Sequence, residues 1–183
     1  MNAAARFVVV SGLPGSGKTT LARRLAAALD LPLLDKDDLL EALFASEGVG
    51  DAAWRRRLSR RSDDELEQRA MASRGAVLVS FWHQPGMPVD SGTPTGWLSR
   101  LPGPVVHVRC DCPPRLAAQR FVSRQRHPGH LDGERTPAQA ETWLDTLSRH
   151  APVELAPAIP ADTTRDTPLD VILEAVAHAF ERR

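Results

Sequence analysis

The chain has 183 residues, 42% of them hydrophobic, which fits one soluble α/β domain large enough to bury a sizeable core. Lys plus Arg and Asp plus Glu each number 23, and this balance argues against a dedicated nucleic-acid-binding protein. The run 7-FVVV-10 is too short for a signal-peptide core or a membrane span. Cys110 and Cys112 are separated by one residue at the end of a predicted strand and are poorly placed to pair. We therefore expect a reduced, cytoplasmic protein without a membrane partner.

Five apolar runs recur along the chain with helical patterns between them, an alternation that predicts a parallel sheet with helices on both faces. The runs are 6-RFVVV-10, 31-LPLLD-35, 76-AVLVSF-81, 104-PVVHVRC-110 and 153-VELAPAI-159. Helices are predicted over 20–29, 38–46, 52–74, 95–100 and 113–125. Two more are predicted to begin after Thr136 and Thr167, each an N-cap residue followed by Pro. We expect a single domain over 1–183.

The segment 11-SGLPGSGKTTLARRL-25 follows the first predicted strand and opens the first predicted helix. It matches the pattern G-x-x-x-x-G-K-[ST], in which glycines let several backbone N–H groups point at one anion. Lys18 is expected to reach the β- and γ-phosphates, and the Thr19 hydroxyl to ligate Mg²⁺. The predicted nucleotide-binding residues are Gly12, Leu13, Pro14, Gly15, Ser16, Gly17, Lys18, Thr19 and Thr20. The alternative, a structural Gly-rich turn, has no use for Lys-Thr at this spacing.

The next run, 35-DKDDLLEALF-44, delivers carboxylates to the end of the second predicted strand. A phosphoryl acceptor needs a carboxylate to orient its hydroxyl and take its proton, and Mg²⁺ needs oxygen ligands nearby. Asp37 and Asp35 are therefore candidate substrate-site residues, with Asp35 also a candidate Mg²⁺ ligand. The alternative for either residue is an N-cap of the following helix.

The two segments 12-GLPGSGKTTLARRLAAAL-29 and 34-LDKDDLLEAL-43 together resemble the small P-loop kinases that phosphorylate hydroxyl groups, such as gluconate kinase, shikimate kinase and chloramphenicol phosphotransferase. The resemblance implies a three-layer P-loop NTPase fold with a five-stranded parallel sheet and a small arginine-bearing lid. It implies ATP and Mg²⁺ as cofactors and Asp37 as the catalytic base. Only the phosphate loop is strongly specific; the Asp segment is moderately so.

Arginines cluster in 109-RCDCPPRLAAQRFVSRQRHPGHLDG-133, where a predicted helix runs into a Gly/Pro/His loop. Such side chains can neutralise charge on a transferred phosphoryl group, and a closing lid excludes water. The resemblance places the lid at about 124–136 and gives Arg120 to the adenine and Arg124 and Arg126 to the phosphates. The alternative for each arginine is a solvated basic face. His127 and His130 are more typical of hinge or substrate contacts than of a metal pair, because a third ligand is missing.

The acceptor side is less clearly marked. The third predicted strand ends in 77-VLVSFWHQ-84, without the acidic residue that family members often place there. Ser80 can bind a Mg²⁺-bound water, and we expect Trp82 and His83 to face the acceptor cavity, with core packing the alternative for Trp82. The run 54-WRRRLSRRSDDELEQR-69 could bind an anionic acceptor, but a solvated helix face with pairs such as Arg61–Glu65 is the favoured interpretation.

After the fifth predicted strand comes 162-DTTRDTP-168, where related kinases contact adenine, so Thr164 and Arg165 are predicted cofactor contacts. No N-K-x-D element typical of GTPases is present. These observations predict an ATP-dependent kinase acting on a hydroxyl of a small molecule, as a monomer or homodimer, with nucleic acid an unlikely partner. A nucleoside or polynucleotide 5′-hydroxyl kinase and an ATP-binding regulatory switch remain as alternatives.

Overall fold

A computed structural model describes residues 5–132, 135–153, 155 and 158–182. Its sheet has five strands, all paired in parallel, in the order β2-β3-β1-β4-β5. The strands are β1 (Arg6–Gly12), β2 (Leu33–Asp35), β3 (Gly75–Val79), β4 (Val105–Asp111) and β5 (Ile159–Asp162). The chain winds from β1 towards β2 and β3 on one side and then towards β4 and β5 on the other. The direction therefore reverses beside β1, and crevices for ligands form at such a point, outside the carboxyl ends of the strands.

Helices follow the strands and cover both faces of the sheet. They are α1 (Lys18–Leu29), α2 (Lys36–Glu47), α3 (Ala52–Ala72), α4 (Pro114–Ser123), α5 (Pro137–Ser148) and α6 (Leu169–Glu181). Along β1, Val8 and Val10 face the layer formed by α1 and α6, whereas Phe7 and Val9 face the opposite layer, to which α3 belongs. Because both faces are covered, β1 and β3 are apolar along most of their length rather than alternating with polar residues.

The structure confirms the predicted α/β fold class and revises several elements. The fifth strand begins at Ile159, whereas the prediction placed it over 153–159, of which residues 154, 156 and 157 lie outside the described residues. The predicted helix over 95–100 is only a 3₁₀ turn at Leu98–Arg100. The start at Thr136 is confirmed, with a capping box to Gln139. Thr167 is not a cap, because its hydroxyl donates to the carbonyl oxygen of Asp162 at 2.9 Å.

Within the described ranges, no helix is both long and apolar enough to cross a membrane.

Candidate active site

The phosphate loop connects β1 to α1 and is shaped by two glycines with positive φ. Gly15 has a φ of +79°, and a Cβ there would come within 2.2 Å of the carbonyl oxygen of Ala117, so the loop passes too close to α4 for any side chain. Gly17 has a φ of +91° and provides no side-chain cap for α1, which leaves the first N–H groups of the helix available to an anion. The Ser16 hydroxyl is buried and lacks a hydrogen-bond partner among the described residues. Unpaired donors around a glycine-lined turn fit a phosphate chain.

Lys18 and Thr19 begin α1 at the edge of this loop. The Lys18 Nζ donates to the carbonyl oxygen of Leu13 at 2.8 Å, and burial lowers the pKa of Lys18 to about 8. Phosphate oxygens beside this amine would favour its charged form. The Thr19 hydroxyl donates to a carboxylate oxygen of Asp35 at 2.9 Å. Lys18 and Lys36 are the only lysines in the sequence, and both line the same cleft.

Asp35 ends β2 and caps the helix that follows, the alternative considered for it. Its second carboxylate oxygen accepts a hydrogen bond from the backbone N–H of Asp37 at 2.9 Å, so Asp35 is the N-cap of α2. Burial, followed by the charge of Asp37, raises the pKa of Asp35 to about 6. A carboxylate and a hydroxyl in contact are the hard oxygen donors that Mg²⁺ prefers, so Asp35 and Thr19 fit the predicted metal site.

Asp37 lies in the first turn of α2 and lines the cleft together with Lys18. Arg126 contacts both Asp37 and Asp132, so it joins the candidate base to the lid. Burial raises the pKa of Asp37, but Arg126, His130 and Lys18 more than offset this effect and hold the pKa below its usual value. Asp37 is therefore ionised and can accept a hydrogen bond from a hydroxyl. The predicted phosphate contact of Arg126 stays a prediction.

The lid was predicted over about 124–136, of which residues 133–134 lie outside the described residues. Its arginine Arg124 lines the cleft, 4.8 Å above the ring of Phe121 and 3.9 Å from the carboxylate of Asp132. Phe44 of α2 supports the lid: the ring of His127 stacks on it, with ring centres 5.2 Å apart, and that of His130 meets it edge-on.

Gly129 permits this close packing, because a Cβ there would come within 2.6 Å of the Phe44 ring. His130 is buried and pairs through Nε2 with Glu41 at 2.8 Å. The described residues contain no group of three or more His, Cys, Asp or Glu able to hold a metal.

A buried polar network supports the side of the cleft that α2, α3 and the end of β3 form. The Nζ of Lys36 contacts a carboxylate oxygen of Asp63 at 2.8 Å and the hydroxyl of Ser59 at 2.9 Å. Asp63 also accepts a hydrogen bond from the Thr93 hydroxyl at 2.8 Å, and Thr93 pairs with Ser80 at 2.6 Å. The network joins α2, α3, the end of β3 and the following loop. Ser80 lines the cleft as predicted, but its hydroxyl is engaged by Thr93.

The arginine run of α3 is largely exposed and also borders the cleft. The cleft has a volume of about 1180 Å³. Six residues of this run line it: Arg55, Arg56, Arg57, Ser59, Arg60 and Arg61. The suggested Arg61–Glu65 pair is wrong, because Arg61 pairs with Glu47 and Glu65 pairs with Arg69. The buried positions Leu58, Leu66 and Ala70 direct one side of α3 into the core. The favoured interpretation, an exposed helix face with ion pairs, therefore holds, and only the pairing within it is corrected.

Two predicted substrate residues do not reach the cleft. Trp82 is 1% exposed, packs against Trp97, and donates from its indole Nε1 to the carbonyl oxygen of Val10 at 2.8 Å. The prediction that Trp82 faces the acceptor is wrong, and the alternative of core packing holds. His83 does not line the cleft either; its Nδ1 lies 2.7 Å from the carbonyl oxygen of Ser91.

Of the three predicted adenine contacts, only Arg120 lines the cleft. Arg120 lines the cleft and donates to the carbonyl oxygens of Thr163 and Thr164 at 2.7 and 2.9 Å, which joins α4 to the segment after β5. Thr164 and Arg165 themselves do not line the cleft. The Thr164 hydroxyl donates to Asp162 at 2.6 Å, and the Arg165 side chain is 85% exposed.

Lys36, Asp63 and Asp132 are cleft or supporting residues that sequence reasoning missed. The sequence contained a sign of the role of Lys36, because a lysine between two aspartates is unusual at the start of a helix. Asp63 and Asp132 had none, because their partners Lys36 and Arg126 lie 27 and 6 positions away and meet them only through folding.

A parallel sheet with a phosphate loop after its central strand, and an arginine-bearing segment beside the cleft, define the P-loop kinase class of α/β proteins. The family model described as AAA domain, AAA_33, matches residues 7–153, and the chain belongs to this family.

Relatives and solved structures agree with this class. A shikimate kinase of Mycobacterium marinum (strain ATCC BAA-535 / M) is 38% identical over 78 residues, which cover 38% of this chain and only 39% of that relative. A crystal structure of a candidate kinase from Chloroflexus aurantiacus j-10-fl is 28% identical, with a TM-score of 0.78 over 98% of this chain and 99% of that one. Shikimate kinase from Acinetobacter baumannii, solved in complex with shikimate, has a TM-score of 0.57 at 20% identity, covering 100% of this chain and 96% of that one. At that identity the likeness concerns the fold alone.

Proposed function

We propose that this protein is an ATP- and Mg²⁺-dependent kinase that transfers the γ-phosphoryl group of ATP to a hydroxyl of a small molecule. The observation that carries the proposal is the position of Asp37, an ionised carboxylate in the same cleft as Lys18 and the phosphate loop. Each of these two charges affects the pKa of the other, which means that they lie close together. A motor or switch ATPase has no need of a carboxylate placed to receive a hydroxyl proton. The kinase names of the similar proteins support the same conclusion.

Each residue of the site has its own role in the proposed reaction. The loop amides and Lys18 would hold the β- and γ-phosphates, and Asp37 would accept a hydrogen bond from the acceptor hydroxyl and so aim its oxygen at the γ-phosphorus. A bond forms between that oxygen and phosphorus while the bond from phosphorus to the bridging β,γ-oxygen breaks; ADP leaves and the hydroxyl proton passes to Asp37.

Because the low pKa of Asp37 makes it a weak base, its main contribution is orientation. Arg124 lies where it could stabilise charge on the transferred group. Mg²⁺, held near Thr19 and Asp35, would neutralise phosphate charge.

The test is ADP release in the presence of ATP and Mg²⁺ across phenicols, aminoglycosides, sugars, sugar acids and nucleosides. An acceptor should stimulate the wild type, and Lys18→Ala should lose about 1,000-fold in kcat/KM for that acceptor, because it removes the cation that binds the transferred group. Arg23→Ala is the matched control, since Arg23 lies on the same helix, is exposed and pairs with Asp38 outside the cleft. Tight ATP binding without stimulation by any acceptor, but with stimulation by a protein partner, would instead indicate a switch.

A further inference from the structure

The two arginines of the lid, Arg124 and Arg126, have different surroundings although only one residue separates them. One terminal nitrogen of the Arg126 guanidinium donates to Oδ2 of Asp37, and the other donates to Oδ2 of Asp132. The Arg126 side chain is 16% exposed, against 35% for Arg124. Each terminal nitrogen of Arg126 therefore already has a carboxylate partner, in a position that is mostly shielded from solvent.

The contact with Arg126 uses only one of the two carboxylate oxygens of Asp37. The Asp37 side chain is 47% exposed, and its Oδ1 has no hydrogen bond to a described residue. A charge-assisted hydrogen bond to one oxygen restricts the rotation of the carboxylate, so the direction of the other oxygen is restricted as well. The arrangement leaves one oxygen of the candidate base held by the protein and the other available to a hydroxyl donor.

The segment that follows Arg126 packs on α2, the helix that carries the candidate base. The ring of His127 stacks on Phe44, and His130 pairs with Glu41 at 2.8 Å. These contacts hold the lid beside α2. Moving Arg126 onto a phosphate would break its two carboxylate contacts and would pull on the residues that anchor the lid.

Arg124 is the lid arginine that lies towards the phosphate loop. Its guanidinium is 4.8 Å above the Phe121 ring of α4, and its ion pair with Asp132 is loose, at 3.9 Å. Arg124 is among the charges that chiefly affect the pKa of Lys18, and Arg126 is not. A phosphate bound by Lys18 would therefore have the loosely paired Arg124 beside it.

We propose that Arg126 is a positioning residue that fixes the Asp37 carboxylate for the acceptor hydroxyl, that Asp132 holds Arg126 in place, and that Arg124 is the lid arginine that serves the transferred phosphoryl group. The inference rests on the proposed function and gives the two lid arginines separate tasks. Asp37 accepts the hydroxyl hydrogen bond through Oδ1 while its Oδ2 stays with Arg126. A reacting group that is held in this way needs no reorientation when the acceptor binds.

The first experiment is a double-mutant cycle on acceptor-stimulated turnover. Arg126→Met should lower kcat about 30-fold and change the KM for ATP by less than about 2-fold, because it frees the direction of the Asp37 carboxylate. In the Asp37→Asn background the same substitution should lower kcat by less than about 3-fold, because no carboxylate is left to position. Arg124→Met should lower kcat by a similar factor in both backgrounds. Losses from Arg126→Met that are equal in the two backgrounds would overturn the inference and leave the kinase assignment standing.

Asp132 allows a conservative rescue. Asp132→Asn should lower kcat about 10-fold, because one end of the Arg126 guanidinium is released, and Asp132→Glu should recover most of the loss. When Arg126→Met is also present, Asp132→Asn should change kcat by less than about 2-fold. A loss from Asp132→Asn that does not depend on Arg126 would contradict the assigned role of Asp132. Arg149→Met is the control, because Arg149 is exposed at the end of α5 and pairs with Asp145.

The second experiment needs no acceptor. Calorimetry measures the affinity of each variant for a non-hydrolysable ATP analogue with Mg²⁺. Arg126→Met should stay within about 2-fold of wild type, and so should Asp132→Asn. If Arg126 moved onto the phosphates, Arg126→Met would weaken binding at least about 10-fold, and Asp132→Asn would strengthen it only while Arg126 is present.

Either of those two results would overturn the inference, whether or not an acceptor is found. A protein that no acceptor stimulates would fail the kinase assignment, and the binding test would still decide whether Arg126 moves to the nucleotide. Equal melting temperatures of the variants would show that they are folded.

Discussion

The two ends of the cleft are built in different ways. The phosphate end is one continuous segment, residues 12–19, which lines the cleft with its backbone and with the side chains of Lys18 and Thr19. The acceptor end is assembled from α2, α3, the end of β3, the loop after it and the lid, and its contacts are made by side chains. Nucleotide binding therefore depends on a local backbone shape, whereas acceptor binding depends on how distant segments pack. Substitutions at the acceptor end should change specificity or stability and leave ATP affinity almost unaffected.

The largest loss of activity is expected at Asp37, which lies where the two ends of the cleft meet. Asp37→Asn should lower kcat about 1,000-fold and change the KM for ATP by less than about 3-fold, because the neutral amide keeps the shape but neither orients the acceptor hydroxyl as the carboxylate does nor takes its proton. Steady-state kinetics with the best acceptor would measure this. Asp38→Asn is the matched control, since Asp38 is 60% exposed in its side chain and pairs with Arg23. Equal losses in the two variants would mean that Asp37 has no special role.

Substitutions at the acceptor end should also lower the free energy of unfolding more than substitutions at the phosphate end do. Asp63→Ala leaves the buried Lys36 without its partner, and we expect the free energy of unfolding to fall by about 3 kcal/mol. Urea denaturation would measure the change, with the neighbouring exposed Asp64→Ala as control. The double substitution Lys36→Met with Asp63→Leu should recover part of the loss, because it removes both buried charges. A fall below about 1 kcal/mol in Asp63→Ala would show that the network does not hold the acceptor end together.

At the phosphate end we expect a substitution to raise the free energy of unfolding, by less than Asp63→Ala lowers it. The pKa of Asp35 is raised from 3.8 to about 6 in the folded chain, so its contribution to stability is fully present below pH 3.8 and is lost as the pH rises through 6. Asp35→Asn in EDTA should therefore be more stable than wild type at pH 7.5, by about 2 kcal/mol after loss of one hydrogen bond. The difference should shrink towards pH 4. Urea denaturation across this pH range would measure it, and a pH-independent difference would contradict the assigned cause.

The smallest effect is expected at Trp82, which separates packing from binding. Trp82→Phe should cost about 1–2 kcal/mol of unfolding free energy, because the Val10 carbonyl oxygen loses its indole donor. The KM for acceptor and for ATP should stay within about 2-fold of wild type, because Trp82 lies outside the cleft. A large rise in the acceptor KM would restore the original prediction that the indole contacts the acceptor.

Sequence reasoning succeeded where the determining interactions are local. The sequence could predict the Lys18–Thr19 pair, the carboxylates at and just after the end of β2, and the capping box at Thr136. Their partners lie within a few residues or at the end of the next strand along the chain. It failed for Trp82, since the direction of a side chain beyond the end of a strand depends on the path of the loop. That loop is fixed by Thr93, whose backbone N–H donates to the carbonyl oxygen of Phe81. The division into one domain and the roles of the site residues stay predictions.

What the sequence by itself determined is the phosphate end: the fold class, the strand that carries the loop, and the pair of carboxylates that faces it. A glycine-rich turn has its shape from the φ preferences of its own residues, and a helix start from its own caps. What only the tertiary structure decided is the acceptor end. Packing of α3 through Leu58 and Leu66 turns Arg55 towards the cleft, folding brings Lys36 to Asp63, and Phe44 supports the lid. These contacts join residues far apart in the chain, and side-chain packing between whole elements, rather than local backbone preference, selects them.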